Sequence, residues 1–269
     1  MFIAVIITTY NRPDALAAVL EAYLEQTDSH FEVIVADDGS TAATREVVLT
    51  YAARSPFSIS HVWQEDVGFR AAAIRNRALA VTNAEYVIFT DGDCVPLPDF
   101  VARHRKLAKP NYFLAGNRVL LDKTFTTTVL SQRLTIHKWG QFRWLAAWVK
   151  RNINRFSPLL RLPDGRFRSL WSERWEGAKT CNLSAWRADL LKVNGLDESY
   201  SGWGLEDSDL VIRLIRSGVK RRSAQFAAPL LHLWHAENDR SKLIENQKRL
   251  EEILRSERIA AVQGLAQYL

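Results

Sequence analysis

The chain has 269 residues, 47% of them hydrophobic and 25% charged, enough apolar side chain to close a large α/β core and unlike a disordered composition. Lys and Arg exceed Asp and Glu by six, which points to an anionic partner: a nucleotide, a phosphorylated glycan, a membrane surface or nucleic acid. Cys94 and Cys181 fit neither a zinc spacing nor a disulfide framework, so reduced thiols and a cytoplasmic setting are expected.

Met1 leads directly into Phe2-Ile3-Ala4-Val5-Ile6-Ile7, so residues 3–8 read as a buried strand and not as a secretion signal. No run of about 18 apolar residues occurs, and no bilayer span is expected. Pro13 is placed to open a helix over 14–23. A second strand over 31–36 ends in Asp37-Asp38-Gly39-Ser40, followed by a helix over 44–53, a strand over 59–63 and a helix over 71–80. Val87-Ile88-Phe89 then form a short apolar strand that stops at Thr90-Asp91-Gly92-Asp93. This alternation predicts a parallel sheet with helices on both faces.

Ligands in open α/β sheets bind at the carboxyl ends of strands, and polar residues collect there: Thr8, Thr9 and Tyr10; Asp37 and Asp38; Asp91 and Asp93. Two carboxylates one glycine apart suit a hard divalent cation that also carries phosphate oxygens, with Gly92 allowing close backbone approach. An Asp-Gly turn is the plain alternative. Asp38 is placed to accept from a base or ribose, or to cap its own turn, and Tyr10 to stack on a base. The first glycine is Gly39 and no Gly-x-x-x-x-Gly-Lys loop occurs, which excludes a dinucleotide-binding dehydrogenase and a P-loop NTPase.

The second half differs in character. Residues 133–175 hold ten Lys or Arg against two acids, and five of the nine tryptophans. Basic residues interleaved with tryptophan suit an anionic membrane interface or a phosphorylated sugar acceptor, or else a solvated helical insertion that packs on the rest. Ser201-Gly202-Trp203-Gly204-Leu205 leads into Glu206, Asp207 and Asp209, three acids in the first turn of a helix that runs to Gly218. There they complement the helix dipole, or one of them faces an acceptor hydroxyl as general base, with Trp203 as a wall for a sugar ring. His232 and His235 follow an apolar strand, where a neutral imidazole beside Asp93 would complete a manganese-type site. Strand alternation turns them to opposite sides, so one of the two is expected at the metal. Residues 241–269 read as an amphipathic helix that packs on the body or on a second copy.

Val5-Ile6-Ile7-Thr8-Thr9-Tyr10-Asn11-Arg12, Val35-Ala36-Asp37-Asp38-Gly39-Ser40, Gly68-Phe69-Arg70 with Arg75-Asn76, and Thr90-Asp91-Gly92-Asp93 together resemble the family 2 glycosyltransferases of GT-A fold. Gly202-Trp203-Gly204-Leu205-Glu206-Asp207 resembles the acceptor-side segment of β-1,4-galactosyltransferases and chondroitin-polymerase-type enzymes. The resemblance implies a Rossmann-like, mostly parallel sheet. It places Thr8, Tyr10 and Asp38 at the base and ribose of a nucleotide sugar, with Asp38 favouring uridine, and counts Arg12 among the nucleotide-sugar-binding residues. Arg70 and Asn76 would meet ribose, diphosphate or donor sugar, and Asp91 with Gly92 ribose or metal. Asp93 would ligate Mn²⁺ or Mg²⁺, with His235 the better match for the late metal ligand and His232 the second choice. Asp207 corresponds to the catalytic base, while Glu206, Trp203 and Gly204 belong to the sugar and acceptor site. Leu205 departs from the pattern, standing where a second glycine is common.

On this reading the chain divides into a nucleotide-sugar half (1–132), a basic insertion (133–175), an acceptor and catalytic half (176–240) and the C-terminal helix (241–269). The expected partners are a nucleotide-sugar donor, a glycan or lipid-linked acceptor and the inner face of an anionic membrane. A nucleotidyltransferase would use the same strand-end acids but gives no role to 203–207. A non-catalytic carbohydrate-binding protein gives none to Asp91, Asp93 and Asp207. Nucleic acid is disfavoured because acidic strand ends repel phosphates.

Overall fold

The computed structural model describes residues 1–237 and 239–269. In chain order the first half runs β1 (Ile3–Thr9), α1 (Pro13–Leu24), β2 (Phe31–Asp37), α2 (Ala42–Ala52), β3 (Ile59–Trp63), α3 (Ala71–Val81), β4 (Tyr86–Asp91), β5 (Cys94–Pro96), α4 (Phe100–Leu107), β6 (Tyr112–Ala115), β7 (Arg118–Leu120) and α5 (Lys123–Ser131). The second half contributes α6 (Gln141–Val149), β8 (Asn182–Trp186), α7 (Arg187–Lys192), α8 (Glu206–Arg216), β9 (Lys220–Ser223), β10 (Leu230–His232) and α9 (Leu243–Arg255). The expected elements up to β4 all form, their ends within two residues of the predicted ones.

Seven strands make one sheet in the order β3-β2-β1-β4-β8-β6-β9. The first four are parallel, and β8 runs antiparallel to both β4 and β6. Along β1, Ile3, Val5 and Ile7 face one apolar core and Ala4 and Ile6 the other. Burial on both sides is why this strand reads as an unbroken apolar run with no alternation. In register, Thr8 pairs with Asp91 and Thr9 with Asp37, so the polar strand ends share one edge. A small second sheet, β5-β10-β7, stands beside that edge.

Two expectations need correction. Residues 133–175 contain a single nine-residue α-helix, α6, and short 3₁₀ turns. Several of their cations point inward: Arg168 is 2% exposed and donates to the carbonyls of Leu162, Pro163, Ser223 and Gln225. Arg161 reaches Asp99 at 2.7 Å and the carbonyl of Ala227. Long loops carry unpaired carbonyls, and buried guanidinium groups satisfy them here. The C-terminal stretch is also shorter in helix than predicted. α9 ends at Arg255, and the tail folds back so that Leu265 enters the core beside α3. It packs on the body: Asn246 is fully buried and donates to the carbonyls of Ser201 and Gly204, both at 3.0 Å.

Candidate active site

A cleft of about 570 Å³ opens at the polar edge of the large sheet. Its lining draws Thr8, Tyr10, Arg12, Asp38, Asp91, Gly92 and Asp93 from the first half of the chain and Trp203, Gly204, Glu206, Asp207, His232 and His235 from the second. Residues far apart in sequence thus meet in one space.

Asp38 is buried at the end of β2. Its carboxylate accepts from the Arg70 backbone N–H at 2.7 Å and from the Gln64 amide. Burial raises its pKa, against the pull of those bonds. Tyr10 stands half-exposed at the mouth, its hydroxyl donating to Asp66 at 2.9 Å. Arg12 is paired with Asp14 at 3.1 Å. Gly92 is needed for packing: a Cβ there would stand 2.8 Å from Thr9 Oγ1 and 2.9 Å from Thr9 Cβ.

Arg70 and Asn76 do not reach the cleft. The Arg70 guanidinium turns to the carbonyl of Glu65, and its neighbours Phe69 and Ala71 line the cleft in its place. Asn76 is fully buried. Its amide donates to the Leu196 carbonyl and to Glu198, and accepts the Leu196 N–H. It therefore fixes α3 to the turn after α7, a structural bracket and not a donor contact.

The residue that sequence reading passed over is Arg75. Its three nitrogens serve three elements: Nε donates to Thr8 Oγ1 on β1 at 2.9 Å, Nη2 to Asp91 on β4 at 3.1 Å, and Nη1 to Glu206 on α8 at 3.2 Å. Burial opposes its charge, but Asp91, Asp207 and Glu206 outweigh it and raise the pKa. The Arg75-Asn76 pair is its sequence signal, and of the two it is Arg75 that lines the cleft.

The three acids of α8 have three fates. Asp209 is buried against Arg213 at 2.6 Å and belongs to the framework. Glu206 is buried beside Arg75, and desolvation with the neighbouring Asp207 pushes its pKa up to about 7. Its Oε2 is buried and unpartnered among the described residues. Asp207 lines the cleft and accepts a hydrogen bond from the Thr180 hydroxyl. Thr180, just ahead of β8, was not flagged by sequence; its only signal is a polar residue before a buried strand. The preceding loop is held in left-handed conformations at Gly202 (φ +70°), Gly204 (φ +105°) and Leu205 (φ +77°). The departure at Leu205 therefore falls where a glycine is favoured, at a cost of about 1–2 kcal/mol.

The elevated pKa of Glu206 makes a pH prediction. The folded state binds this proton more tightly than the unfolded chain, so the stability it contributes is present below about 4.5 and lost as pH rises through 7. Glu206→Gln removes that slope. Between pH 4 and 8 the stability difference between variant and parent should drift by roughly 3 kcal/mol in the variant's favour. Urea midpoints across pH measure it, and parallel curves would refute the assignment.

Also in the lining of the cleft, register places His232 of β10 across from Cys94 of β5. His232 Nε2 lies 3.6 Å from Asp93 Oδ1, and His235 Nε2 lies 3.4 Å from Asp93 Oδ2. Both imidazoles converge on one carboxylate, contrary to the expectation of a single histidine. β10 ends at His232, so strand alternation no longer applies at 235. His235 Nδ1 faces the Ala236 carbonyl at 2.6 Å, which places the proton on Nδ1 and leaves Nε2 free as a ligand. Burial lowers the His232 pKa to about 4 and keeps that ring neutral. Cys94 Sγ lies within 4.8 Å of the Asp93 and His232 ligand atoms, a group that does not include His235, but burial drives the thiol pKa well up, making it a poor ligand. Carboxylate oxygens with two imidazole nitrogens fit Mn²⁺ or a similar divalent ion.

A mostly parallel sheet with acids on its carboxyl edge, flanked by a small sheet and by a helix that opens with an acid pair, defines a GT-A glycosyltransferase. The chain belongs to glycosyl transferase family 2, whose profile matches residues 4–167. Residues 168–236 match the N-terminal domain of galactosyltransferase. It is 31% identical over 228 residues to validoxylamine A glucosyltransferase of Streptomyces hygroscopicus, covering 81% of this chain and 52% of that protein. It is likewise 31% identical over 241 residues to chondroitin synthase of Escherichia coli, covering 84% of this chain and 34% of that protein. The chain thus spans about half or less of these relatives. Among solved structures, the mannosyltransferase PcManGT of Pyrobaculum calidifontis with GDP-Man and Mn²⁺ superposes with a TM-score of 0.61 at 19% identity, over 94% of this chain and 64% of that one. S. aureus TarS 1-349 with UDP gives 0.59 at 16%, over 100% and 68%. At these identities they establish the fold.

Proposed function

We propose that the chain transfers a hexose or N-acetylhexosamine from a UDP-sugar to a hydroxyl of a glycan or glycolipid, with inversion, in cytoplasmic assembly of a bacterial envelope polysaccharide or lipopolysaccharide. The observation that carries this reading is that Asp93 with its two imidazoles and Asp207 with its Thr180 hydrogen bond line the same cleft. A donor-phosphate end and a proton-accepting end are what a transfer between two sugars needs.

Tyr10 and Asp38 hold the base and ribose, Asp38 through an oxygen edge already oriented by Gln64 and the Arg70 N–H. Asp93, His235 and His232, with Asp91 beside them, would hold a divalent ion, which when bound would supply positive charge against the departing diphosphate. Thr180 occupies Oδ1 of Asp207 and leaves Oδ2 for the acceptor. Oδ2 takes the hydroxyl proton as the acceptor oxygen bonds to the anomeric carbon and the bond to the phosphate oxygen breaks. Inversion is favoured because Glu206 is tied to Arg75 and is no second nucleophile. Its buried Oε2, unpartnered among the described residues, is left to accept from a sugar hydroxyl. The UDP held by TarS and the Mn²⁺ held by PcManGT support the choice of donor and ion.

A thermal-shift screen of nucleotide sugars with manganese tests the donor, since a ligand at 100 times its Kd stabilises by about 2.7 kcal/mol. A shift with UDP-sugars and none with other nucleotide sugars is expected. Asp93→Ala should weaken manganese-supported UDP binding by at least about 10–100-fold, the loss seen even for residues that merely support a metal ligand. Titration calorimetry with and without Mn²⁺ reads it, and unchanged affinity would overturn the role of Asp93.

A further inference from the structure

Between Asp122 and Asp164 the chain carries eight Lys or Arg and no acid. α6 lies inside this stretch. Its inner face is buried through Trp144 and Ala147, with Trp144 packed against Trp139 at 5.2 Å between ring centroids. The outer face is also apolar. Phe142, Leu145 and Val149 are spaced i, i+3, i+7, which puts them on one stripe of an α-helix, and they are 90%, 39% and 71% exposed. Such a stripe faces a core in most surface helices; here nothing within the described residues covers it.

The surroundings of the stripe identify what does. Lys138 precedes the helix, Arg143 lies in its first turn, and Lys150 and Arg151 follow its last. Trp148 adds a half-exposed indole, a side chain suited to the boundary between headgroup and acyl chain. Beside the helix a recess of about 300 Å³ is lined by Lys138, Gln141 and Trp144 among others, and the buried indole N–H of Trp144 has no acceptor among the described residues. A second copy is a poor occupant, because a two-fold contact would press two basic, acid-free segments together.

We propose that α6 seats the protein on an anionic lipid bilayer, with Phe142, Leu145 and Val149 entering the interface and Arg143, Lys150 and Arg151 meeting headgroup phosphates. The docked helix is tied to the cleft by contacts: Trp139 packs on Phe125 of α5 at 5.6 Å, and Thr126 of α5 accepts the Trp234 N–H, between the two histidines. The inference holds whether or not the acceptor is lipid-linked.

Sedimentation of the 269-residue chain with phosphatidylcholine vesicles, with and without phosphatidylglycerol, tests it. Binding to the anionic vesicles alone is expected, released by high salt. Lys150→Ala with Arg151→Ala should weaken it about 30-fold, and Phe142→Ser with Val149→Ser at least about tenfold. All four positions are exposed, so circular dichroism and donor binding should match the parent. Failure of the parent to bind anionic vesicles, or variants that sediment as the parent does, overturns the proposal. So does a dimer that Phe142→Ser with Val149→Ser converts to monomer in a protein without vesicle affinity.

Discussion

Asp207→Asn is expected to slow sugar transfer about 10²–10⁴-fold, the usual worth of a positioned general base, while donor affinity stays near that of the parent. The amide keeps the size of the side chain and an oxygen for the Thr180 hydroxyl, but it cannot take the proton of the acceptor. On the proposed reading the donor is held through Asp38 and the Asp93 group, and neither Asp38 nor Asp93 hydrogen-bonds Asp207. Single-turnover transfer and nucleotide calorimetry measured on the same sample separate the two effects. Loss of donor binding together with turnover would move Asp207 out of its role. Thr180→Val is the milder companion change: it leaves the base chemically intact and removes only its orientation.

The second large effect is on stability. Arg75→Met removes the cation shared by Thr8, Asp91 and Glu206 and leaves both carboxylates without it, Glu206 9% and Asp91 28% exposed. Breaking a buried pair from one side costs about 3–5 kcal/mol, a large part of the roughly 5–15 kcal/mol that holds an average domain together. Urea unfolding should show it as a lower midpoint. Arg75→Met combined with Glu206→Gln should recover part of the loss, because the orphaned acid is then neutral. Arg75→Lys should not restore the parent, since an ammonium cannot supply three donors in the fork that reaches β1, β4 and α8. Equal stability of parent and Arg75→Met would mean that water or another cation already serves those acids.

What the sequence disclosed follows from how local each signal is. The strand ends were legible because a buried parallel strand is a continuous apolar run, and Val87-Ile88-Phe89 stops abruptly at acids. The Trp203 to Asp207 segment was legible for the same reason, as glycines followed by acids at a helix start. Arg75 and Asn76 were not, because both sit inside an alanine-rich helical pattern where only packing decides which one faces the cleft. Thr180 and the pairing of His232 with His235 were hidden because they depend on where separate strands finish. The cations of 133–175 look alike in sequence, yet Arg168 is sealed beneath carbonyls while Arg143 and Lys150 stand at the surface. The glycine position taken by Leu205 was visible as a departure, but its left-handed backbone was not.

β8 comes from the stretch matching the galactosyltransferase domain, yet it is hydrogen-bonded between β4 and β6, both from the family 2 stretch. Two modules that comparison separates at residue 168 are therefore woven through each other. Neither can be expressed alone with its edges satisfied, and a chimera that exchanges acceptor preference must import a β8 whose faces still mesh with the host's flanking strands.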